Sequence, residues 1–420
     1  MASEWREGRL GDFIGLHRGY DLPQQDRRPG SVPVVSSSGI SDHHAAARID
    51  GPGVVTGRYG TIGQVFYVEE PFWPLNTTLY VSDFKGNDPR FVSYLLRTID
   101  FLAFSDKAAV PGVNRNHIHE AIIRWPASLA EQKRIAGILG SLDDKIELNR
   151  RMSQTLESMA RALFKSWFVD FDPVRAKAEG RDPGLLSYIA ERFPDSFDDS
   201  EVGAIPKGWR VCGLDQIADF LNGLALQRFP ATGGRALPVI KIAQLHAGNI
   251  EGADEASADI PSEYVVQDGD VLFSWSGSLA VEIWCGGPGA LNQHLFKVTS
   301  ELYPKWFYYL WTREHLADFC AIAAGKATTM GHIQRGHLTA ARVPVPPDAL
   351  LDATSSIIEP LMEAYATARS NSRLLGSLRD GLLPRLITGG IAVPGLWAVC
   401  VSRPDAREAA SAASPQFPTR

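Results

Sequence analysis

The sequence predicts an α+β fold, in which two loop-rich α/β domains are separated by two long antiparallel helices that pair as a coiled coil. Three observations lead to this prediction. An uninterrupted helical pattern with a narrow apolar stripe covers 131–168. Short strand-like runs between glycine-rich turns flank it, and the first half of the chain recurs in the second. An internal pseudo-two-fold repeat is therefore expected.

The composition is typical of a globular protein without a membrane span. The 420 residues, 45% of them hydrophobic, allow two or three domains with substantial cores. No apolar run approaches the roughly 18 residues of a span, and the N-terminus lacks the apolar core of a signal peptide, so a cytoplasmic location is expected. The four cysteines lack metal-ligand spacing, which predicts neither zinc nor a disulfide framework. The net charge of -6 argues against a simple nucleic-acid coat protein, so any basic surface must be local.

The first domain, called head 1, is predicted at 1–126. Strand-like runs alternate with glycine-rich turns such as RYGTIG at 58–63, and a helix is predicted from Asp88 to Phe104. A last strand ends at Pro126. The segment is expected to be a mixture of strands and helices with many loops.

The first long helix is predicted at 127–170, because no proline interrupts 131–168 and its two glycines lie near the start. Asn149 and Ser153 are expected to break its apolar seam midway. The seam residues recur every three or four positions and are predicted to pack against one partner helix. They are Ile135, Leu139, Leu142, Ile146, Leu156, Met159 and Leu163.

An acidic linker is predicted at 171–204, with no core pattern beyond a short helix at 185–192. Asp170, Asp172 and Lys177 resemble the charged residues of metal-dependent nucleases. They lack the strand setting that such a site requires, and we interpret them as solvated charges.

From Trp209 the chain repeats itself, which places a second domain, head 2, at 205–346. EWREGRLGDFIGLHRGYDL at 4–22 matches GWRVCGLDQIADFLNGLAL at 208–226 without a gap. Later segments match in the same order: VPVV with LPVI, GRYGTIG with SWSGSLA, PLNTTLYV with ALNQHLFKV, DPRFVSYLL with YPKWFYYLW, and NRNHIHEAIIRWP with QRGHLTAARVPVP. The two heads are therefore expected to carry corresponding loops.

The repeat continues into a second long helix at 347–390, and 391–420 is predicted to be a disordered tail. Pro360 and Pro384 each remove a backbone donor, so this helix is expected to be shorter or bent, with breaks near both prolines. Its pairing residues are predicted as Leu361, Leu375, Leu378 and Leu382.

Antiparallel pairing of the two helices would set a fixed spacing between two similar heads. Such an arrangement suits a two-fold ligand, and duplex DNA read at two half-sites is the leading case. A nucleic-acid-free scaffold that joins protein partners is the alternative, and it predicts no salt-dependent binding to any duplex. An enzyme in its own right is disfavoured by the absence of motifs described below.

The chain resembles the specificity subunits of type I restriction-modification enzymes. The resemblance rests on the repeat, on LAEQKRIAGIL at Leu129–Leu139, on FKSWFVDFDPVRAK at Phe164–Lys177, and on PKGW at Pro206–Trp209. It implies two target-recognition domains that read a bipartite asymmetric site in double-stranded DNA. It also implies helices that bind two methyltransferase subunits, and recruitment of translocase-nuclease subunits. The second helix begins with LLDATSSII instead of EQKRIAGIL, so one methyltransferase subunit is expected to dock differently.

Catalysis is expected to come from partner subunits. The chain has no NPPY-like tetrapeptide for a flipped adenine, no glycine-rich loop for S-adenosylmethionine and no GxxxxGK[ST] loop for ATP. The resemblance implies a non-catalytic subunit, with S-adenosylmethionine, ATP and Mg bound by its partners.

Direct readout requires polar side chains on loops that can enter a major groove. In head 1 the candidates are Arg18, Arg27, Arg28, Ser36, Ser37, Ser38, Arg58, Tyr59, Lys107, Asn114, Arg115 and His117. In head 2 they are Gln227, Arg228, Lys241, Gln244, Ser274, Trp275, Ser276, Lys326, Thr328, Thr329, Gln334 and Arg335. For any one of them, a solvated charge or a structural hydrogen bond is the ordinary alternative, as it is for His117 and His337. Gly60 and Gly277 are expected to serve turn geometry, and Trp5 and Trp209 to belong to the core.

Overall fold

The computed structural model describes residues 4–106, 111–325 and 331–391. Its contacts divide the chain into two compact units. Unit 1 joins the chain up to Asp144 with the chain from Gly376 and contains head 1; unit 2 is Lys145–Leu375 and contains head 2. Among the helices of the described residues, none combines the length and apolar character needed to cross a bilayer. Lys107, Lys326, Thr328, Thr329 and the predicted tail beyond residue 391 lie outside the described residues.

Head 1 is built on a four-stranded antiparallel sheet whose central strand, Gly53–Gly57, is buried along its whole length. In spatial order the sheet contains Gly15–Arg18, Thr78–Asp83, Gly53–Gly57 and Val65–Val68; a second sheet contains Gly39–His44, Val32–Ser36 and Trp73–Pro74. Two-stranded pairs join Trp5–Arg9 with Ile122–Pro126 and Ser105–Asp106 with Gly112–Val113. The α-helices are Leu10–Phe13, Pro89–Arg97 and Arg115–His119, with 3-10 turns at Gln24–Asp26 and Phe101–Phe104.

The helix Pro89–Arg97 starts where the sequence provides both signals of a helix N-terminus. Asp88 accepts a hydrogen bond from the Phe91 backbone N–H at 2.8 Å, and Pro89 occupies the first helical position. Phe91 and Leu95 are buried in the unit 1 core. The predicted helix from Asp88 to Phe104 is therefore a shorter helix followed by a 3-10 turn.

The main sheet of head 2 repeats the strand order of the main sheet of head 1. Numbered along the chain, the four strands of the main sheet follow the spatial order first, fourth, second, third in both heads. In head 2 they are Asp219–Asn222, Leu295–Thr299, Val271–Ser274 and Ala280–Ile283; a second sheet contains Glu255–Ser257, Ala236–Ile240, Gly289–Leu291 and Val265–Val266. Arg210–Gly213 pairs with Arg342–Val345. The α-helices are Ile242–Ala247, Lys305–Glu314, Leu316–Ala324 and Arg335–Ala340, with 3-10 turns at Leu214–Gln216, Leu226–Arg228 and Ser262–Tyr264.

The two long helices run from Leu129 to Phe164 and from Asp348 to Ile387. In unit 1 the start of the first helix shares a core cluster with the end of the second, Leu386 and Ile387 included. In unit 2 the end of the first helix shares a core cluster with the start of the second. A one-turn π-helix, Lys165–Val169, follows the first helix.

The burial of the long helices differs from the predicted seam in two places. Ile135 and Leu139 are buried, and Leu142, Ile146, Leu156, Leu163, Leu361, Leu375 and Leu382 are half-buried. Met159 and Leu378, however, are 48% and 51% exposed. Asn149 and Ser153, expected to break the seam, are buried instead, and the Ser153 hydroxyl donates to the Asn149 carbonyl at 2.7 Å. A strict spacing of three and four carries the buried face through these polar residues and leaves Met159 on another face.

The expected breaks near Pro360 and Pro384 are wrong, because the second helix is continuous over 40 residues. Both prolines lie on the exposed side. Each removes one intrahelical hydrogen bond, but buried residues on either side of Pro360, Ile358 and Met362, hold the flanking turns in place. Beyond Pro384, its carbonyl still accepts from Thr388 N–H at 3.0 Å.

The segment 171–204, expected to be a linker, contributes to the unit 2 core. Phe171, Val174, Ile189 and Phe193 are all buried there. Its helices are Asp172–Ala178 and Ser187–Ala190, and its strands Phe197–Ser200 and Gly203–Pro206 form a hairpin. The hydrophobic residues of this segment occur singly between charged residues, so the sequence has no periodic pattern that predicts their burial.

Candidate nucleic-acid interface

In head 1, four loop segments meet at one edge of the main sheet. The backbone N–H groups of Arg58 and Tyr59 donate to the Thr77 carbonyl at 2.9 and 3.3 Å, and Val113 N–H donates to the Arg58 carbonyl at 3.1 Å. The Thr61 hydroxyl also donates to the carbonyl of Ser37, at 2.6 Å. We call this loop cluster 1: residues 36–38, 57–63, 75–78 and 111–115.

Head 2 has a corresponding arrangement. Trp275 N–H donates to the His294 carbonyl at 3.3 Å, and Ile333 N–H donates to the Trp275 carbonyl at 3.0 Å. Ser276 forms a β-bridge with His332. We call this loop cluster 2: residues 274–279, 292–294 and 331–335. The segments that the repeat paired in sequence thus meet in each head.

The local backbone of both clusters follows from the sequence. Gly60 and Gly277 have φ of +73° and +67°, a region that L-residues rarely adopt, which confirms their expected role in turns. The short helix after each cluster begins with a polar cap. Asn114 accepts from Asn116 N–H at 3.0 Å, and Gln334 N–H donates to the His337 imidazole Nδ1 at 3.0 Å.

Loop cluster 1 brings together several of the predicted contacts. Arg58 donates through Nε to the Val113 carbonyl at 3.3 Å, and its guanidinium carbon lies 4.7 Å from the centre of the Tyr59 ring. Tyr59 is 37% exposed and packs against Gly112. Arg115 is exposed at the first residue of its helix. A cationic and aromatic surface therefore lies at this edge.

The other head 1 candidates differ in their contacts and in their exposure. Arg27 forms an ion pair with Asp42 at 2.8 Å, and that hydrogen bond holds the pKa of the Asp42 carboxyl below its ordinary value. Arg18 lies 3.5 Å from Asp21, which in turn accepts from Asn76 in the cluster. Of the remaining candidates, Ser36 bonds to Ser38 and to the Gly39 carbonyl, whereas Arg28, Asn114 and His117 are exposed.

In loop cluster 2 the centre is Trp275. Its indole N–H donates to Asn222 at 2.9 Å, and its ring lies 6.0 Å from His294 and 5.9 Å from Phe296 between centres. Gln334 is exposed beside it. Arg335 donates to the Phe220 carbonyl at 3.1 Å and lies over the Phe296 ring, so it also supports the fold.

Three head 2 candidates are buried and hydrogen-bonded within the fold, which removes them as DNA contacts. Ser274 is fully buried and accepts from Ala280 N–H at 2.7 Å. Ser276 is 4% exposed and bonds to His294, and Gln244 is 8% exposed and caps its own helix. Small polar residues beside a turn satisfy backbone groups as readily as they read bases. Lys241 forms an ion pair with Asp254, whereas Gln227 and Arg228 lie exposed on the turn Leu226–Arg228.

Sequence reasoning missed four polar residues in or beside the clusters: Asn76, Asn222, His294 and His332. Asn222 and His294 orient Trp275 and Ser276, and Asn76 connects loop cluster 1 to Asp21. Asn76 and His294 lie in PLNTT and ALNQH, which the repeat pairs, so the sequence contains a signal for these two residues.

The described residues contain no group of three or more side chains that could hold a metal ion. Two of the cysteines, Cys212 and Cys285, are free thiols whose pKa is raised by burial, which makes them poor nucleophiles at neutral pH.

Apolar side chains on the long helices are exposed in each unit. Leu148, Met152 and Met159 on the first helix and Leu374 and Leu378 on the second are 42–56% exposed. We call these five residues the exposed stripe. Arg150 and Arg151 beside it both bond to Glu147 of the same helix, and these bonds lower the pKa of Glu147 to about 2. Apolar side chains at this exposure, rimmed by charges, are typical of a protein-binding face.

Comparison with known proteins gives one consistent result. A family model described as a type I restriction modification DNA specificity domain matches residues 2–158. The MjaIX type I specificity subunit of Methanocaldococcus jannaschii is 25% identical over 323 residues, which cover 73% of this chain and 70% of that protein. The HindI specificity subunit of Haemophilus influenzae is 23% identical over 337 residues, covering 69% and 73%.

A crystal structure of a type I restriction-modification S subunit from M. genitalium has a similar fold. Its TM-score is 0.58 at 14% identity, and the match covers 92% of this chain and 96% of that one. The resemblance inferred from the sequence is confirmed by these matches.

Proposed function

We propose that each head of this chain reads one half of a bipartite, asymmetric DNA site, a role supported by the match of residues 2–158 to a family model described as a type I restriction modification DNA specificity domain. The observation that carries the proposal is the pair of loop clusters. In each head, the cluster contains cationic, amide and aromatic side chains at the corresponding edge of the main sheet. The residues at matching positions differ between the two clusters. Different side chains on a common scaffold are what two different half-sites require.

The two long helices are proposed to act as a ruler. Support comes from the buried face that runs through Ile135, Leu139, Asn149 and Ser153, and from opposite helix ends sharing a core in each unit. A helix rises about 1.5 Å per residue, so an antiparallel coiled coil of this length would separate two half-sites by a fixed number of base pairs.

The exposed stripe is proposed to dock two methyltransferase subunits. Its five apolar residues lie on the long helices, outside both loop clusters, so docking and DNA reading use separate surfaces. Translocase-nuclease subunits would join the methylating complex. S-adenosylmethionine, ATP and Mg would bind in these partners, and the chain itself would perform no catalysis.

A methylome comparison tests the proposal. Adenine methylation is mapped genome-wide in a host with and without this gene, with the partner methyltransferase gene present in both. The expected result is one bipartite motif that is lost with the gene. An unchanged methylome, together with salt-independent and negligible binding of the purified complex to duplex DNA, would instead favour a scaffold that joins protein partners.

A further inference from the structure

In unit 1, a single carboxylate joins head 1 to both long helices. Asp143, on the first long helix, accepts from the Tyr94 hydroxyl at 2.6 Å and from Arg97 at 3.2 Å, both on the head 1 helix Pro89–Arg97. Its other oxygen accepts from Arg379 of the second long helix at 2.7 Å. We call these four residues clamp 1.

In unit 2, a corresponding network joins head 2 to both helices. Arg313, on the head 2 helix Lys305–Glu314, forms ion pairs with Glu157 of the first long helix at 2.8 Å and with Glu282 of the main sheet at 3.4 Å. Arg369 of the second long helix forms an ion pair with Glu282 at 3.0 Å. We call Glu157, Glu282, Arg313 and Arg369 clamp 2.

The two clamps share a design. In each, the head and the second long helix supply an arginine, and the first long helix supplies an acid. Clamp 2 has a second acid, Glu282 of head 2, which pairs with both arginines. The ion-paired side chains are only 19–28% exposed. Burial alone would raise the pKa of Asp143, but the hydrogen bonds from Tyr94 and Arg379 outweigh it, and the pKa is lowered. The Asp143 carboxylate therefore stays charged at neutral pH, and clamp 1 is a half-buried set of charge-assisted hydrogen bonds. In clamp 2, Arg313 and Arg369 both donate hydrogen bonds to Glu282, whereas Arg313 and Glu157 are joined by an ion pair alone.

We propose that clamps 1 and 2 fix the orientation of each head on the helix pair and thereby narrow the range of DNA spacers that the protein accepts. The inference rests on the proposed function. Apolar packing is non-directional, so the core alone would allow the orientation of a head relative to the helices to vary. Charge-assisted hydrogen bonds fail when misaligned, so a head held by them on two helices has one favoured orientation.

The test measures spacer discrimination by the complex of the full chain with its methyltransferase subunits. Duplexes carry the two half-sites with spacers that differ by single base pairs. The wild-type complex should bind the preferred spacer roughly tenfold more tightly than either neighbour, the usual effect of one misplaced contact. Asp143→Asn and Glu157→Gln should each reduce that ratio to about threefold or less, and Tyr94→Phe, which keeps the buried ring, should have a smaller effect in the same direction.

Glu359→Gln is the matched control, because Glu359 is an exposed carboxylate on the second long helix that belongs to neither clamp and lies outside the exposed stripe. It should keep the wild-type ratio. The inference is overturned if the clamp variants keep that ratio, whatever their thermal stability, or if Glu359→Gln lowers it equally. If the complex with Asp143→Asn does not assemble, the spacer ratio of the Tyr94→Phe complex tests the inference instead. A wild-type complex that binds no bipartite site would refute the proposed function instead.

Discussion

Arg115 and Arg335 occupy matching positions in the repeat but are held differently. Arg115 is exposed at the start of its helix, whereas Arg335 bonds to the Phe220 carbonyl and lies over the Phe296 ring. Arg115→Ala should therefore weaken DNA binding by about 1–3 kcal/mol through one half-site only, with no change in Tm. Half-site mutant duplexes and calorimetry on the purified complex measure both quantities.

Arg335→Ala is expected to lower the Tm as well as DNA affinity, because it also removes a structural hydrogen bond. Arg6→Ala, at an exposed position outside both loop clusters, serves as the control and should leave half-site preference unchanged. Equal loss at both half-sites on Arg115→Ala would show that this arginine does not read one half-site.

His119 gives head 1 a pH-dependent stability. Its Nε2 accepts from the Leu16 backbone N–H at 3.0 Å, so the neutral ring is required. Burial first, and then the positive charges of Arg115 and Lys85, lower the pKa of His119 below its ordinary value. The unfolded state therefore binds the proton more readily, and this stability is present above about pH 6.5 and lost as the pH falls through the folded pKa.

The Tm of the wild-type chain should accordingly fall between pH 7.5 and pH 5.5, and His119→Asn, which keeps an acceptor but does not titrate, should show a shallower fall. Calorimetry at both values measures the difference. A fall of the same size in both proteins would assign the acid sensitivity to other groups.

At the scale of elements, Pro360 shows that tertiary packing overrides a local signal. The proline removes a hydrogen bond to Ser356 in a helix that continues past it. Pro360→Ala restores that bond and should raise the free energy of unfolding by about 2 kcal/mol, after allowance for the more flexible unfolded chain. Urea denaturation measures it. A lower stability would mean that the helix requires the proline at this position.

The exposed stripe makes a different prediction. Met159→Asp and Leu378→Asp should each abolish capture of one methyltransferase subunit without lowering the Tm, because both side chains are about half exposed in the chain alone. Leu302→Asp is the control, since Leu302 is 81% exposed and lies outside the long helices. Native mass spectrometry counts the bound subunits. Retention of both subunits in both variants would place docking elsewhere.

How far the sequence predicts this molecule depends on the range of the interactions involved. The repeat predicted corresponding heads and loops, because aligned segments adopt the same strand order. The buried face of the long helices was only partly predictable, since the exposure of Met159 and the burial of Asn149 depend on contacts with residues distant in sequence. The clamps were not predicted at all. Asp143 and Arg379 lie far apart in sequence, and charged residues on a helix are ordinarily solvated.

In the ruler proposal, the length of the two long helices sets the spacing between the DNA half-sites that the whole molecule can bind. Inserting one heptad in each helix, between 144 and 145 and between 375 and 376, adds about 10 Å, or about three base pairs. The helix faces are nearly preserved, but three base pairs turn the duplex by about 100°, so one half-site leaves its head. One heptad should therefore abolish bipartite binding.

Three heptads in each helix add about 32 Å, close to one turn of the duplex, and should restore binding to a site whose spacer is about ten base pairs longer. Selection from a library of random spacers measures this. The control is a protein with three heptads inserted in the first helix only. It should bind neither the old nor the new site, because its two helices no longer match in length. An unaltered spacer in the doubly extended protein would refute the ruler. A single heptad that shifts the spacer by three base pairs at full affinity would instead show that the heads turn freely on the helices, which the clamps are proposed to prevent.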